Sequence, residues 1–173
     1  STMKIRQEIP NDYRAVYQLV QSAFETADFA DGNEQEIIEK LRASEAFIPE
    51  LSLVAEIKDE IVGHILFTEG HIGETTVLVL APLSVLPIHQ KCGVGRALIA
   101  EGHRRAKRLG YSFSLVLGSE NYYPKFGYLP AVDFGVTVPE GIPSMNFMAC
   151  PLTTIIPQLD GTLRYASEFG VAE

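Results

Sequence analysis

The sequence predicts a single α/β domain over residues 1–173, a mixed and mostly antiparallel sheet with helices on both faces. Three observations predict it. The 173 residues suffice for one well-packed core and are few for two. The elements run strand, helix, helix, three strands, helix, strand, short helix, strand. The most apolar stretch, residues 75–86, passes through a glycine-containing loop into a helix and then another apolar run, the pattern of a strand–helix–strand crossover.

Each element has its local reason. Lys4 to Glu8 alternates as a short strand and is halted by Pro10. Asn11 or Asp12 is placed to cap a helix whose Val16, Leu19, Val20, Ala23 and Phe24 recur at helical spacing. A loop over 25–33 leads to a second helix, 33–43, with Ile37, Ile38 and Leu41 on one face. Leu51–Ile57 and Ile61–Thr68 flank the polar Lys58-Asp59-Glu60, a hairpin signal. Residues 75–86 read as a buried central strand, in which Pro82 marks a place where pairing stops or a bulge forms. A helix over 94–109 carries Val94, Leu98, Gly102, Ala106 and Leu109 on one face and stops at Gly110. Tyr111–Leu117 is a further strand, and Tyr122–Phe126 a short helix or turn. Weak strands are expected near 134–138 and 145–152 in a loop-rich tail.

Composition narrows the function. Hydrophobic residues make up 46% and charged residues 21%, which argues against disorder. The net charge of −8 repels nucleic acid and anionic membranes, and no apolar run reaches the ~18 residues of a membrane span. Met3 reads as the natural start after Ser1 and Thr2, with no signal segment behind it. Cys92 and Cys150 make neither a disulfide framework nor a metal cluster, so a cytoplasmic protein without structural zinc is expected. Residues 1–60 hold thirteen acids against six bases. Arg96, Arg104, Arg105, Lys107 and Arg108 stand against Glu101 alone in the central helix. The two regions suit ligand groups of opposite charge, although solvated helix faces explain any single charge equally well.

The informative segment is Leu83-Ser84-Val85-Leu86-Pro87-Ile88-His89-Gln90-Lys91-Cys92-Gly93-Val94-Gly95-Arg96. Two glycines at a helix mouth let successive N–H groups converge on an anion, with the helix dipole behind them. A P-loop needs Lys-Ser or Lys-Thr after its last glycine, where Arg96-Ala97 stands, and a dinucleotide fingerprint needs a small residue at Leu98. The spacing that fits is Gln90-x-x-Gly93-x-Gly95, and it resembles the coenzyme A loop of the GNAT superfamily of N-acetyltransferases. Tyr123, four residues before Gly127-Tyr128, adds to that resemblance, which extends over about residues 3–130. Residues 130–173 are a divergent C-terminal part that resembles a subgroup of uncharacterised bacterial acetyltransferases.

The resemblance implies a splayed central strand pair, acetyl-CoA as co-substrate and no metal. The backbone of Leu83, Ser84 and Val85 would hold the pantetheine arm. Gln90, Lys91, Cys92, Gly93, Val94, Gly95 and Arg96 would seat the pyrophosphate, with Arg104 and Arg105 attracting the 3′-phosphate. The acceptor would be an amine of a small molecule or peptide, cationic because the acidic N-terminal helices flank its groove. A homodimer is left open, as is a non-catalytic acyl-CoA sensor. Departures are Lys91 and Cys92, where the basic residue is displaced by one, and Asn121, off its usual distance from the tyrosine.

The chemistry sets its own demands. An amine of pKa ~10.4 is neutral in about 1 molecule in 2,500 at pH 7, so deprotonation costs about 4.6 kcal/mol. The departing thiolate needs a proton, and a tyrosine hydroxyl starts protonated; Tyr123 is the expected general acid. Glu69, Glu120 and a backbone-held water are the candidates for the base. His64, His71, His89 and His103 show no metal spacing and take core or surface places.

Overall fold

The computed structural model describes residues 2–25 and 32–169. Most of the loop expected over 25–33 lies outside them. The elements are β1 (Met3–Gln7), α1 (Tyr13–Phe24), α2 (Glu34–Arg42), β2 (Phe47–Ile57), β3 (Glu60–Ile72), β4 (Thr75–Val85), α3 (Val94–Arg108), β5 (Phe113–Leu117), β6 (Leu129–Pro130), β7 (Phe147–Pro151) and β8 (Leu163–Arg164). The sheet runs β1-β2-β3-β4-β5-β7-β6, with β8 added beside the far end of β3. Among the described strands, all pairs are antiparallel except β4 with β5, joined in parallel across α3. The hairpin turn at Lys58 and Asp59 holds both residues at positive φ, which matches the twist of the strands it joins.

Apolar residues split between the faces by the two-residue strand period. Leu51, Leu53, Ala55, Ile65 and Phe67 form one layer with Leu98, Ile99 and Ala106 of α3. Val54 and Leu66 turn the other way and meet Val16, Val20, Ile38 and Leu41 of α1 and α2. Beyond the middle of the sheet a third cluster, including Phe113, Leu115, Phe147 and Leu163, lies under the C-terminal segment.

Two expectations fail for identifiable reasons. Asp12 does not cap α1; its carboxylate takes two hydrogen bonds from Arg6, at 2.7 and 2.8 Å, and one from the Ile9 N–H, while a 3-10 turn over Pro10–Asp12 starts the helix. Residues 134–138 form no strand. A 3-10 turn over Ala131–Phe134 ends at Gly135, which has a φ of +89° and sits against the Leu159 carbonyl, so only a glycine fits there. Val136 keeps a single bridge, to Gly161.

Two buried polar clusters brace the sheet. Under α2, Arg42 donates to both oxygens of Glu8, at 3.1 and 2.6 Å, and Ser52 donates to Glu8 at 2.8 Å. The Ser52 hydroxyl also lies 3.1 Å from His64 Nε2, and the His64 ring is wholly buried. Behind α3, the Tyr128 hydroxyl lies 2.9 Å from His103 Nε2 and 2.8 Å from Ser114 Oγ. Burial pulls the pKa of both histidines down to about 4, with Glu8 opposing it at His64 and Lys107 adding to it at His103.

These clusters yield two predictions. Arg42→Ala strands the Glu8 carboxylate in the interior, and unfolding should become easier by about 3–5 kcal/mol, read from urea titration. Both histidines stay neutral in the folded chain. Stability is therefore full above pH ~6.5 and falls from there toward pH ~4, where only the unfolded chain takes up the protons, by up to about 1.4 kcal/mol per pH unit for each ring. Denaturant midpoints at pH 7, 6 and 5 should show this slope, and His103→Gln should roughly halve it.

Candidate active site

The site begins with a break in the sheet. β4 and β5 pair only at Leu78↔Ser114 and Val79↔Leu115. Just beyond, β4 spends two residues, Ala81 and Pro82, against the single Leu66 of β3, since Phe67 faces Leu80 and Ile65 faces Leu83. Proline has no N–H to give, and the extra residue bends the strand. From there to Val85, β4 keeps β3 on one side, while no pairing with β5 occurs on the other among the described residues. The backbone of Leu83, Ser84 and Val85 thus presents an open edge beside β5. Their side chains are committed elsewhere: Leu83 and Val85 pack into the α3 layer, and Ser84 is buried across from His64.

The loop after β4 turns into α3 through two residues of left-handed backbone. Lys91 and Gly93 have φ of +63° and +86°, and the first intrahelical bond of α3 runs from the Ala97 N–H to the Gly93 carbonyl at 3.0 Å. The N–H groups of Val94, Gly95 and Arg96 therefore precede the helical ladder and face the loop end. Gln90 ties the loop back by donating to the Val85 carbonyl at 3.2 Å. Val94 is buried against Gly63, so it contributes backbone only. Arg96 lies over the Phe126 ring at 5.1 Å, on the cradle side. Cys92 is exposed, with its thiol 3.4 Å from the Gln90 carbonyl, and has no histidine–acid partnership among the described residues.

Tyr122 and Tyr123 close the other wall from a 3-10 turn over Tyr123–Phe126, which carries Pro124 in its first turn. Their rings meet edge to face, 5.1 Å between centres. A Cβ on Gly95 would come within 2.3 Å of the Tyr122 hydroxyl, and one on Gly118 within 2.3 Å of the Tyr123 ring. Both glycines are places of close approach. Tyr123 lines a cavity of about 490 Å³ that also touches Leu80, Pro82, Leu83, Val116 and Leu117, the lips of the strand break. Its hydroxyl makes no hydrogen bond among the described residues. Burial, with the Tyr122 hydroxyl adding to it, raises the Tyr123 pKa, so the phenol holds its proton across the neutral range.

The other sequence candidates sort by place. Glu69 is engaged by the Tyr111 hydroxyl at 2.5 Å, and Glu120 by the Asn146 amide at 2.5 Å; neither lines the cavity. Arg104 and Arg105 both bind Glu101 within α3, at 2.6 and 2.8 Å, and Arg105 also reaches the Glu50 carbonyl. They stand about 15 Å along the helix from its mouth at ~1.5 Å per residue, away from the cradle. His64 and His103 are the core histidines already described. Asn121 is exposed, and its N–H binds Ser119. Three contributors were missed: Tyr122 beside the cradle, Glu34 of α2 in the cavity wall, and the tail residues Pro139, Ile142, Leu163, Tyr165 and Phe169. The doubled tyrosine was a signal for the first, and the position of Glu34 on the stripe of Ile37, Ile38 and Leu41 was one for the second.

An open strand edge that leads to a cradle of backbone donors, with a protonated phenol at the break, is the working geometry of an acyltransferase. The chain belongs to the acetyltransferase (GNAT) family, whose model matches residues 13–128. It is an N-acetyltransferase. It is 36% identical over 150 residues to the uncharacterized N-acetyltransferase YjhQ of Escherichia coli K12, a match spanning 82% of this chain and 83% of that protein. It is similar to a GNAT family acetyltransferase from Brucella melitensis solved in complex with acetyl-CoA, at 31% identity and a TM-score of 0.80 over 97% of this chain and 98% of that one. The fold is also that of YhbS from Escherichia coli, solved in complex with CoA, with a TM-score of 0.87 at 23% identity over 98% and 92% of the two chains. Among the described residues no helix is long and apolar enough to cross a membrane.

The close approach at the helix mouth gives a direct prediction. Gly95→Ala drives a methyl into the Tyr122 hydroxyl and should lower stability by about 1–3 kcal/mol, as overpacking does. The next Tyr122 atom, Cζ, is 3.6 Å from that Cβ position, so adding Tyr122→Phe should restore most of the loss. Thermal melts of the single and double variants check it.

Proposed function

We propose that the chain moves the acetyl group of acetyl-CoA to a primary amine of a small molecule or peptide by direct attack. The observation that carries this is the strand break beyond Val79 and Leu115, which opens onto the Gly93–Arg96 cradle at one end and onto Tyr123 at the other. The cradle fits a diphosphate: a left-handed glycine, a second glycine with no room for a side chain, and free N–H groups at a helix mouth. The relative from Brucella melitensis, solved with acetyl-CoA, supports the same donor here. Lys91, Cys92, Gly93, Val94, Gly95 and Arg96 would hold the diphosphate, and Leu83, Ser84 and Val85 the pantetheine amides along the open edge of β4. The co-substrate supplies the acetyl group as an activated thioester.

The residues of the chain then do three things. The strand edge holds the acyl group in one orientation, which removes entropy from the encounter. The apolar walls at Leu80, Pro82, Leu83 and Val116 keep water from the reacting carbon. Tyr123 holds a proton at its hydroxyl and would donate it to the departing sulfur, while the attacking nitrogen gives one up to water. The two free cysteines, one exposed and one buried, fit a reducing, cytoplasmic setting.

Two measurements test the reading. Coenzyme A at 100 times its Kd should add about 2.7 kcal/mol of stability, a rise of roughly 5–11 °C in Tm. Tyr123→Phe should lower kcat by about 100-fold or more with the coenzyme A Kd unchanged. A chain that binds coenzyme A and never consumes a thioester with any amine would instead be a sensor.

A further inference from the structure

Two tyrosines stand side by side at the strand break, and they face different places. Tyr123 lines the cavity, whereas Tyr122 is not among the described lining residues. The Tyr122 ring stands nearly at right angles to its neighbour, at 89°, and a second edge contact, to Phe126 at 4.9 Å between centres, holds it there. Its hydroxyl points to the helix mouth. The oxygen lies against Gly95, at the place a side chain would take, and Leu83 Cδ2 lies 3.7 Å from that same position. The phenol thus sits where the first turn of α3 meets the open edge of β4. Its side chain is half-buried, and the hydroxyl makes no hydrogen bond among the described residues. Burial raises the Tyr122 pKa and the Arg96 charge opposes it without overcoming it, so the oxygen keeps its proton. Arg96 itself lies over the Phe126 ring, so a cation and an O–H donor are offered from the same aromatic cluster.

We propose that the Tyr122 hydroxyl binds the co-substrate by donating a hydrogen bond to its diphosphate, while proton transfer to the sulfur is left to Tyr123. This deepens the transferase reading above and rests on it. A hydroxyl that donates to a charged phosphate oxygen makes a charge-assisted bond, roughly twice as strong as a neutral one. The ring is already fixed by its edge contacts, so little side-chain freedom is lost when the ligand arrives. The backbone donors of Val94, Gly95 and Arg96 approach the same anion from the helix, and Tyr122 approaches from the wall after β5. Gly95 then serves twice, since its bare backbone opens the cradle and its missing side chain leaves room for the phenol. The paired tyrosines divide the work: one holds the donor and the other protonates its leaving group.

The test compares ligands that carry the diphosphate with one that lacks it. Coenzyme A, 3′-dephospho-coenzyme A and pantetheine are titrated into the wild-type and Tyr122→Phe chains. The variant keeps the ring and its edge contacts. It should weaken the first two ligands about tenfold each, as expected for a lost hydrogen bond to a charged group, and leave pantetheine unchanged. In turnover the same factor should appear in the KM for acetyl-CoA, whereas Tyr123→Phe acts on kcat. The double variant Gly95→Ala, Tyr122→Phe should regain the stability that Gly95→Ala loses and still bind coenzyme A about tenfold more weakly than wild type; a packing role alone would restore both. A further arm uses only the wild-type chain, so a Tyr122 variant that fails to fold does not weaken the test. With ¹³C at the Cζ of the seven tyrosines, inorganic pyrophosphate should move one resonance and pantetheine a different one. Equal weakening of all three ligands in Tyr122→Phe would overturn the proposal, as would unchanged coenzyme A affinity. So would a pyrophosphate titration that moves no tyrosine resonance, or only the one that pantetheine moves. In each of these cases wild-type binding of coenzyme A leaves the transferase reading standing, whereas a wild-type chain that binds no coenzyme A overturns both.

Discussion

The structure depends on a single geometric event, the parting of β4 from β5 after Val79 and Leu115. A strand in the middle of a sheet ordinarily has its N–H and C=O groups taken on both sides. Here the extra residue at Ala81–Pro82 and the missing proline donor release one side while β3 holds the other. The released groups form an open edge, of the kind that an extended ligand with its own amides can pair with. The same bulge inverts the alternation of β4. Leu80 and Leu83 both face α3 although they are three residues apart, and Ser84 is turned toward His64.

A sheet with a gap at its centre needs support on either side of it. On one wing, Glu8, Arg42, Ser52 and His64 fasten the end of α2 to β2 and β3. On the other, His103, Tyr128 and Ser114 tie α3 to β5 and to the segment after the tyrosine turn. Each cluster is nearly dry, and each group in it depends on the others for its hydrogen bonds. Such clusters tolerate little displacement, which suits walls that must hold a ligand between them without closing. The aromatic run of Tyr122, Tyr123, Phe126 and Tyr128 then fills the space between the cradle and the core with edge-to-face contacts.

Local pattern was enough for everything that a short window can encode. The helical stripes of α1, α2 and α3, the hairpin at Lys58-Asp59, the buried run of β4, the glycine cradle and the interrupting Pro82 are periodicities or turn chemistries confined to a dozen residues. The Gln90–Gly95 spacing and Tyr123 were legible for the same reason, because the backbone geometry they serve is local. The part after residue 130 was not. Gly135 against Leu159 and the Val136–Gly161 bridge join positions more than twenty residues apart, and no periodicity records such a contact.

The sequence by itself therefore determined the element types, the acidic character, and a glycine-bearing loop at a helix mouth. It did not determine which carboxylate reaches the cavity wall. Glu69 and Glu120 stand out along the chain, yet Tyr111 and Asn146 hold them elsewhere, while Glu34 reaches the cavity because α2 lays its apolar stripe against the sheet and the tail folds over it. Charge is a property of a residue and can be read from the chain. The company that charge keeps is set by packing among segments distant in sequence, and only the tertiary structure decides it.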